Sequence, residues 1–533
     1  MRRALVSIVI VSAITSVLGK WVPYSQLQAR DDSALLSCLK SKGLDPVVQG
    51  SPNYTSDSAP FNRRLHWKPV AIVYPEDAKG VSAAVKCAAQ NHVKVNARCG
   101  GHSYAAFALG GEDGHLTVSL DKLRHLSQSG NTSTIGGGNH LGDVALYLWQ
   151  NGKRAMAHGT CPYVGIGGHA GQGGFGLPSR AWGLLADQVQ SLEIVTADGQ
   201  IRNASLKENA DLFWAATGAG ASFGIITSFT TVTRPAPNST AFAYEFKNYT
   251  YKEASAGLQA WQAFASNSTN KLDPNVGLQI HVDPNPSAPH GVVFSVSGVY
   301  YGADKAKVNS TFAPLLKKLG TPTSILLQEQ DWITSVLHLA DAKNISQLNT
   351  TLASDTHDYF YATSTFISEQ RPMVQAASDA LFKYFYGPGT NTSIKWFAIF
   401  DLYGGGDSAI TKVGPDYNAF NARDALYSIQ YYGTIPHGTS DRAGIDFIQG
   451  IKKAVENDTV PKTQFKEYGE RHATLQSLIA PVSEAMGCAV NYIDSEYSAE
   501  EAHARYYPTH SANLTALKNK YDLNRTFHFP QDF

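Results

Sequence analysis

Two glycine-rich stretches decide the fold of this chain: ARCGGHSY at residues 97–104 and HGTCPYVGIGGHAGQGGFG at residues 158–176. Eight of the eighteen residues from 159 to 176 are glycine. Successive backbone N–H groups without side-chain bulk form concave sites for anions, and a diphosphate suits such a site. One His and one Cys stand at the edges of these stretches, at His102 and Cys161. The pattern therefore predicts a bulky dinucleotide cofactor that two side chains are placed to bond.

Length and charge restrict the number of domains and the kinds of partner that the chain can have. The chain has 533 residues, too many for one hydrophobic core, so we expect two or three domains. Lys and Arg number 44, as do Asp and Glu, so no net charge attracts nucleic acid or an anionic membrane. Charged residues make up 17% of the chain, below the roughly 25% of typical soluble domains. This composition is typical of a secreted protein with uncharged polar groups and glycans, and predicts no nucleic-acid or membrane partner.

The N-terminus indicates export. MRR precedes ALVSIVIVSAITSVLG, an apolar run that is short for a membrane span and typical of a signal peptide, which we place at residues 1–19. We therefore expect a secreted, extracellular, N-glycosylated monomer. Thirteen N-x-[ST] sequons fit such a surface; they begin at Asn53, Asn131, Asn203, Asn238, Asn248, Asn267, Asn309, Asn344, Asn349, Asn391, Asn457, Asn513 and Asn524.

The five cysteines are an odd number, so at least one thiol stays unpaired in an oxidising compartment. Cys38 with Cys87 is the preferred disulfide, tying the N-terminal segment to the first helix of the next domain. Whether Cys99 pairs with Cys488 stays open. Cys161 differs from the others because it lies inside a glycine-rich loop. A small buried residue is the usual role of a free cysteine, and that alternative is retained.

The order of predicted elements gives an α+β chain. After the signal peptide, residues 20–66 form a helical lead-in and a polar connection, and residues 67–235 mix short strands with helices. Composition shifts near residue 236. Residues 236–475 alternate strand-like and longer helical runs, typical of an antiparallel sheet covered by helices. Residues 476–533 form a separate C-terminal segment.

Three short patterns are set aside on their context. GIGGHA at 165–170 matches G-x-G-x-x-A, but CPY precedes it where the dinucleotide fingerprint requires an apolar strand. GASFG at 220–224 matches a serine nucleophile elbow, yet it runs from helix to strand, the reverse of the required order. The seventeen His residues show no H-E-x-x-H or paired C-x-x-C spacing. No Rossmann site, serine hydrolase or metal site is predicted.

From about Trp67 to the C-terminus the chain resembles the vanillyl-alcohol-oxidase (PCMH-type) FAD flavoproteins. Within them it is similar to the berberine-bridge-enzyme-like branch, and most of all to fungal gluco- and chito-oligosaccharide oxidases. This resemblance implies a two-part FAD-binding domain at 67–235, to which the C-terminal segment returns, and a substrate domain at 236–475. The motifs that carry it are RCGGHSY (98–104), HGTCPYVGIGGH (158–169), GGFG (173–176), ADLFWA (210–215), GASFGI (220–225), FDLYGG (400–405) and NYID (491–494).

The resemblance implies a bicovalently attached FAD. His102 matches the residue bonded to the flavin 8α-methyl, Cys161 matches the residue bonded to C6, and residues 98–104 resemble the pyrophosphate-binding loop. The positions that the resemblance places against FAD are Arg98, Cys99, Gly100, Gly101, His102, Ser103, Cys161, Gly165, Gly168, His169, Gly174, Gly224 and Asn491.

The same resemblance supplies a catalytic pair. Tyr492 matches a general base, and Asp401 matches a carboxylate that takes the phenolic proton. An unperturbed Tyr has a pKa near ~10 and needs such help at neutral pH. Considered without the family, both residues fit an ordinary strand or turn position. Tyr104 and Gln430 match positions on the substrate side, and Val164 matches the position that gates O2, where a small residue is typical of oxidases.

The implied reaction is oxidation of an anomeric C1 hydroxyl to a lactone, with O2 reduced to H2O2. Ile399 departs from this pattern, because some oligosaccharide oxidases carry Gln two residues before the Asp. A lost hydrogen bond to a sugar is worth about 0.5–1.5 kcal/mol. Two alternatives therefore stay open: a secondary-metabolism oxidase acting on an aromatic or alkaloid molecule, and a non-catalytic secreted binding protein built on a flavin scaffold.

Overall fold

A computed structural model describes residues 32–352, 355–456 and 492–533. The predicted signal peptide, Asn457, Cys488 and Asn491 lie outside the described residues, as does part of the predicted lead-in. Within the described ranges no helix combines the length and apolar character needed to cross a bilayer.

A small parallel sheet opens the described chain. Its central strand is β3, with β1 and β2 on either side. The predicted disulfide between Cys38 and Cys87 is confirmed, and it joins the first helix to the third. That third helix begins directly after Asp77, whose carboxylate caps it by accepting the Gly80 N–H at 2.8 Å. The elements are α1 (Ser33–Ser41), α2 (Tyr54–Asp57), β1 (Ala71–Val73), α3 (Ala78–Gln90), β2 (Val95–Arg98) and β3 (Leu116–Ser119).

A five-stranded antiparallel sheet follows, in the order β4-β5-β9-β7-β8. Its β7–β8 hairpin turns at Asp198-Gly199, a residue pair typical of such turns, and Gly199 has a φ of 70°. A two-stranded pair, β6 with β10, closes this part. The elements are β4 (Leu126–Ser129), β5 (Thr132–Gly136), α4 (Leu141–Gln150), β6 (Arg154–Ala155), α5 (Ile166–Gly171), α6 (Ser179–Trp182), α7 (Leu185–Gln188), β7 (Val189–Val195), β8 (Ile201–Ser205), α8 (Ala210–Ala219), β9 (Ile225–Val232) and β10 (Arg234–Pro235).

The largest layer is a seven-stranded antiparallel sheet in the order β14-β11-β13-β12-β16-β17-β15. An apolar core that includes Trp261, Phe294, Phe382 and Ile448 fills the space between one face of this sheet and its helices. The elements are β11 (Ser239–Phe246), α9 (Tyr251–Ala265), β12 (Val276–Pro284), β13 (Val292–Tyr300), α10 (Lys305–Leu319), β14 (Ser324–Gln330), α11 (Trp332–Leu339), β15 (Phe360–Ser368), α12 (Gln375–Tyr386), β16 (Lys395–Leu402), α13 (Ala409–Lys412), β17 (Ala425–Thr434) and α14 (Asp441–Glu456).

The C-terminal residues pack against the N-terminal half. Val95 donates its N–H to the Thr526 carbonyl at 2.7 Å, and the buried Lys518 ammonium donates to the Ser222 carbonyl at 2.7 Å. The last two helices are α15 (Ala499–Tyr506) and α16 (Ser511–Tyr521). Helices and antiparallel sheets together confirm the predicted α+β class, while the predicted domain boundaries stay a prediction.

The second face of the seven-stranded sheet carries polar side chains. In register, Gln279 of β12 lies opposite Asp401 of β16, and Ile399 of β16 lies opposite Gln430 of β17. Because side chains two residues apart in a strand share a face, these four lie on one surface. The helices already cover the apolar face, so this polar face is the one directed at the glycine-rich loops.

Candidate active site

The two glycine-rich stretches pack against each other by their backbones. A Cβ built on Gly100 would lie 2.5 Å from the Gly165 nitrogen, and one built on Gly165 would lie 2.8 Å from Cys99 Cβ. Both distances are shorter than real Cβ contacts, so larger residues would separate the two loops. Part of the glycine content therefore serves loop packing rather than ligand contact, which the sequence pattern by itself did not distinguish.

A cavity of about 410 Å³ lies between these loops and the polar face of the sheet. Sixteen of the nineteen site residues proposed from the sequence line it. They are Cys99, Gly100, Gly101, His102, Ser103, Tyr104, Cys161, Val164, Gly165, Gly168, His169, Gly224, Ile399, Asp401, Gln430 and Tyr492. A single space thus joins the expected cofactor, substrate and catalytic positions.

Two predicted positions do not line this cavity. The Arg98 guanidinium donates to the Asp57 carbonyl and contacts the Asp121 carboxylate at 3.5 Å, which holds it behind the loop. Gly174 packs against α7, where a Cβ would lie 2.8 Å from Leu185 Cβ. Both residues support the loop from outside the cavity. Asn491 lies outside the described residues.

The two side chains proposed to bond the cofactor lie on separate loops. Cys161 is half-buried, forms no disulfide, and burial raises the pKa of its thiol. His102 Nε2 lies 2.6 Å from an Asp355 carboxylate oxygen. Cys99, the other unpaired cysteine among the described residues, packs on Asn139, and burial raises the pKa of its thiol to about 12. Of the two thiols, that of Cys99 is therefore held strongly in the unreactive protonated form.

The proposed catalytic pair meets across the cavity. The Tyr492 hydroxyl donates to the Asp401 carboxylate at 3.4 Å, a long hydrogen bond. Burial raises the pKa of Asp401 to about 7, and burial followed by the Asp401 charge raises the pKa of Tyr492 well above 10. A carboxylate with a pKa near 7 is suited to accepting and returning a proton at neutral pH.

Aromatic side chains lie beside this pair and continue along the same sheet face. The Tyr104 ring stacks on the Tyr492 ring with centroids 5.9 Å apart, and the Tyr104 hydroxyl accepts the Gln430 amide at 2.9 Å. Burial raises the pKa of Tyr104 by more than the hydrogen bond from Gln430 lowers it, so the Tyr104 hydroxyl stays protonated. Phe397 and Tyr432 stack on the same sheet face at 4.8 Å. Flat apolar rings beside hydrogen-bonding groups suit a ligand with both kinds of surface.

The segment carrying Tyr492 is anchored by its neighbour Asp494. The Tyr361 hydroxyl donates to the fully buried Asp494 carboxylate at 2.7 Å. The Asp494 N–H in turn donates to the Tyr506 hydroxyl at 2.8 Å. These bonds tie the segment to β15 and to α15. The position of Tyr492 is therefore fixed from two sides, by the large sheet and by a C-terminal helix.

Sequence reasoning missed several cavity and supporting residues. Gln279 lines the cavity beside Asp401 and donates to Ser297 at 3.3 Å. A polar residue within the otherwise apolar run VGLQIHV was the available signal. Phe61 also lines the cavity, stacked on His102, and Asp355 contacts His102. No local pattern marks Phe61 or Asp355, because their role depends on long-range contacts.

The donor set fits FAD. Gly168 has open space where a Cβ would be, so backbone is presented directly to the cavity. Gly100 and Gly101 add backbone from the other loop, and His102 and Cys161 reach the same space. A backbone-lined section next to a polar face suits a dinucleotide whose ring end meets a substrate. Among the described residues no cluster of three or more His, Cys, Asp or Glu side chains could hold a metal ion.

Comparison with known proteins agrees with this geometry. The FAD binding domain family matches residues 69–205. The chain is 32% identical to the chitooligosaccharide oxidase of Gibberella zeae over 524 residues, covering 98% of each chain. It is 33% identical to the xylooligosaccharide oxidase of Thermothelomyces thermophilus, covering 98% of this chain and 97% of that protein.

Among solved structures, the glucooligosaccharide oxidase of Acremonium strictum superimposes with a TM-score of 0.83 at 30% identity. The match covers 94% of this chain and 98% of that chain. The description of that structure names a 6-S-cysteinyl, 8α-N1-histidyl FAD. The likeness of fold therefore extends over nearly the whole chain.

Proposed function

This chain belongs to the family of FAD-dependent oligosaccharide oxidases, and from that premise we propose that it oxidises the anomeric C1 hydroxyl of an oligosaccharide to the lactone while O2 is reduced to H2O2. The observation that carries the proposal is the Tyr492–Asp401 pair at 3.4 Å, set in a broad cavity beside a polar sheet face. Full-length similarity to several oligosaccharide oxidases supports it.

The proposed cofactor is FAD attached through both His102 and Cys161. When bound, FAD would accept the two electrons of the alcohol and pass them to O2. His102 and Cys161 would hold the ring at two edges, and the glycine backbone at 100–101 and 168 would border the diphosphate. Tyr492 would take the substrate hydroxyl proton, and Asp401 would accept the phenolic proton in turn. Val164 would leave room for O2.

A substrate panel tests the reaction. Peroxide release would be measured with cello-, xylo- and chito-oligosaccharides, and with aromatic alcohols in parallel. We expect turnover on at least one sugar series and formation of the corresponding aldonic acid after lactone hydrolysis. Turnover on aromatic alcohols alone would favour the secondary-metabolism alternative. A colourless protein without any turnover would favour the binding-protein alternative.

The rate should depend on pH through Asp401. Its raised pKa of about 7 means that the carboxylate is protonated, and unable to accept the Tyr492 proton, below that pH. We expect kcat to rise about tenfold per pH unit below 7 and to level off above it. Asp401→Asn should lower kcat roughly 10²-fold and remove this acidic limb. If kcat of Asp401→Asn still fell in the same way below pH 7, the pH dependence would belong to another group.

Ile399 offers a test of sugar contact. The side chain lines the cavity opposite Gln430, where an added amide could reach a sugar hydroxyl. We expect Ile399→Gln to lower KM for the preferred oligosaccharide about 2- to 12-fold, the equivalent of one net hydrogen bond. Ile399→Leu is the matched apolar control and should leave KM within about twofold. Equal effects of both variants would show that shape rather than hydrogen bonding governs this position.

We also propose that the protein is a secreted, N-glycosylated monomer. Of the sequon asparagines within the described ranges, Asn349 is half-buried and the others are exposed. Asn53 and Asn513 illustrate the pattern, since each lies at the surface of a helical segment. Exposed acceptor amides are what attachment of a bulky glycan requires.

A further inference from the structure

The His102 imidazole is held at two places. Its Nε2 lies 2.6 Å from Asp355 Oδ2, and the two side chains are only 10% and 18% exposed. Phe61 stacks on the ring with centroids 4.0 Å apart and an interplanar angle of 21°. Stacking fixes the plane of the ring, and the carboxylate fixes its rotation within that plane. The side chain is therefore oriented before any cofactor bond is made.

This arrangement selects one ring nitrogen. An ionised carboxylate only accepts hydrogen bonds, so the proton shared with Asp355 belongs to Nε2. In the tautomer with its proton on Nε2, the imidazole carries its available lone pair on Nδ1. Among the described residues Nδ1 has no hydrogen-bond partner, and His102 lines the cavity. Carboxylates orient histidines in the same way in metal sites and hydrolase triads.

We propose that Asp355 is a positioning residue for covalent attachment of FAD to His102, an inference that rests on the proposed cofactor. Attachment joins Nδ1 to the 8α carbon and breaks one methyl C–H bond. Two electrons pass to the flavin and then to O2. The methyl hydrogen and the imidazole hydrogen leave with them, so one O2 becomes one H2O2. Asp355 stabilises the positive charge that develops on the imidazole and accepts its Nε2 proton.

The contact also links the two halves of the chain. Asp355 precedes β15 of the seven-stranded sheet, and His102 follows β2 of the parallel sheet, 253 residues earlier. The carboxylate reaches the imidazole only when both parts have packed together. Attachment at His102 therefore depends on the assembled protein, and an isolated FAD-binding part would lack this residue.

The test requires a protein in which His102 is the single covalent link. Cys161→Ala provides it, and Asp355→Asn is added in that background. Flavin remaining on acid-precipitated protein and the His102 adduct in tryptic peptides are followed over time by absorbance and mass spectrometry. We expect attachment to slow roughly 10- to 100-fold relative to Cys161→Ala alone. Asp358→Asn, on the same segment, is the matched control and should attach flavin at the Cys161→Ala rate.

Rescue separates positioning from folding. In Asp355→Ala with Cys161→Ala, formate should restore attachment while chloride should not, because only formate replaces the carboxylate. Asp355→Glu should retain most of the attachment. Full attachment at the unaltered rate in Asp355→Asn, or a loss that neither formate nor Glu repairs, would overturn the role of Asp355. Absence of a His102 adduct in the wild-type protein would instead overturn the proposed cofactor linkage, and the inference with it.

Discussion

Tyr492→Phe is expected to lower kcat by about 10³-fold, within the range for loss of a general base. The substitution removes the hydroxyl that donates to Asp401 and would receive the substrate proton. It keeps the ring that stacks on Tyr104, so the cavity keeps its shape. KM should change by less than about threefold, because the lost interaction acts on the reacting proton rather than on substrate binding. Steady-state peroxide release and anaerobic flavin reduction would both measure the effect.

Two variants serve as references for Tyr492→Phe. Tyr244→Phe removes a buried hydroxyl that has no hydrogen-bond partner in the described part of the chain. Tyr244 lies on β11, three strands away from Asp401 on β16, so this variant should leave kcat unchanged. Tyr104→Phe removes the acceptor of the Gln430 amide and should act mainly on KM. A Tyr492→Phe enzyme within about threefold of the wild-type kcat would exclude this residue as the base.

The second large effect concerns the cofactor bonds. In the double variant His102→Ala with Cys161→Ala, essentially all flavin should leave on acid precipitation or denaturation, whereas the wild-type protein should keep it. Each side chain lines the cavity from a different loop, so either one can retain the ring when the other is removed. Each single variant should therefore stay yellow after denaturation. Absorbance of the precipitate and peptide mass spectrometry measure the retained flavin.

Substitution of the second cavity thiol, Cys99, is the control for loss of flavin in the double variant. Cys99 also lines the cavity, but it packs on Asn139, and burial raises the pKa of its thiol to about 12. Cys99→Ala should therefore keep both adducts. Flavin that survives denaturation in the double variant would show that another side chain carries the bond. If either single variant released its flavin on denaturation, the wild-type protein would hold the flavin by one covalent bond rather than two.

Features governed by neighbouring residues could be predicted from the sequence. Asp77 caps α3 through a carboxylate three residues from its donor, and Asp198-Gly199 turns the β7–β8 hairpin. The large antiparallel sheet was predicted from strand-like runs that alternate with longer helical runs, since each run is recognisable within a short stretch of sequence. The two loops at the cavity could be recognised because each holds a cluster of glycines next to one reactive side chain, His102 in the first and Cys161 in the second.

The remainder depended on contacts between distant residues. The sequence did not show that Arg98 faces Asp121 behind the loop, that Gln279 lies beside Asp401, or that Asp355 reaches His102. Register between strands and packing of one domain on another decide such contacts, and neither is encoded within a short window.

By itself, then, the sequence determined the class of fold and the loops that line the cavity, because local patterns of residues specify them, and it indicated Cys38 and Cys87 as the preferred disulfide partners. Only the tertiary structure decided which glycines pack loop against loop and how strongly burial raises the pKa of Asp401. A pKa reflects the removal of water from around a charge, and that removal happens only when distant segments close over the same site.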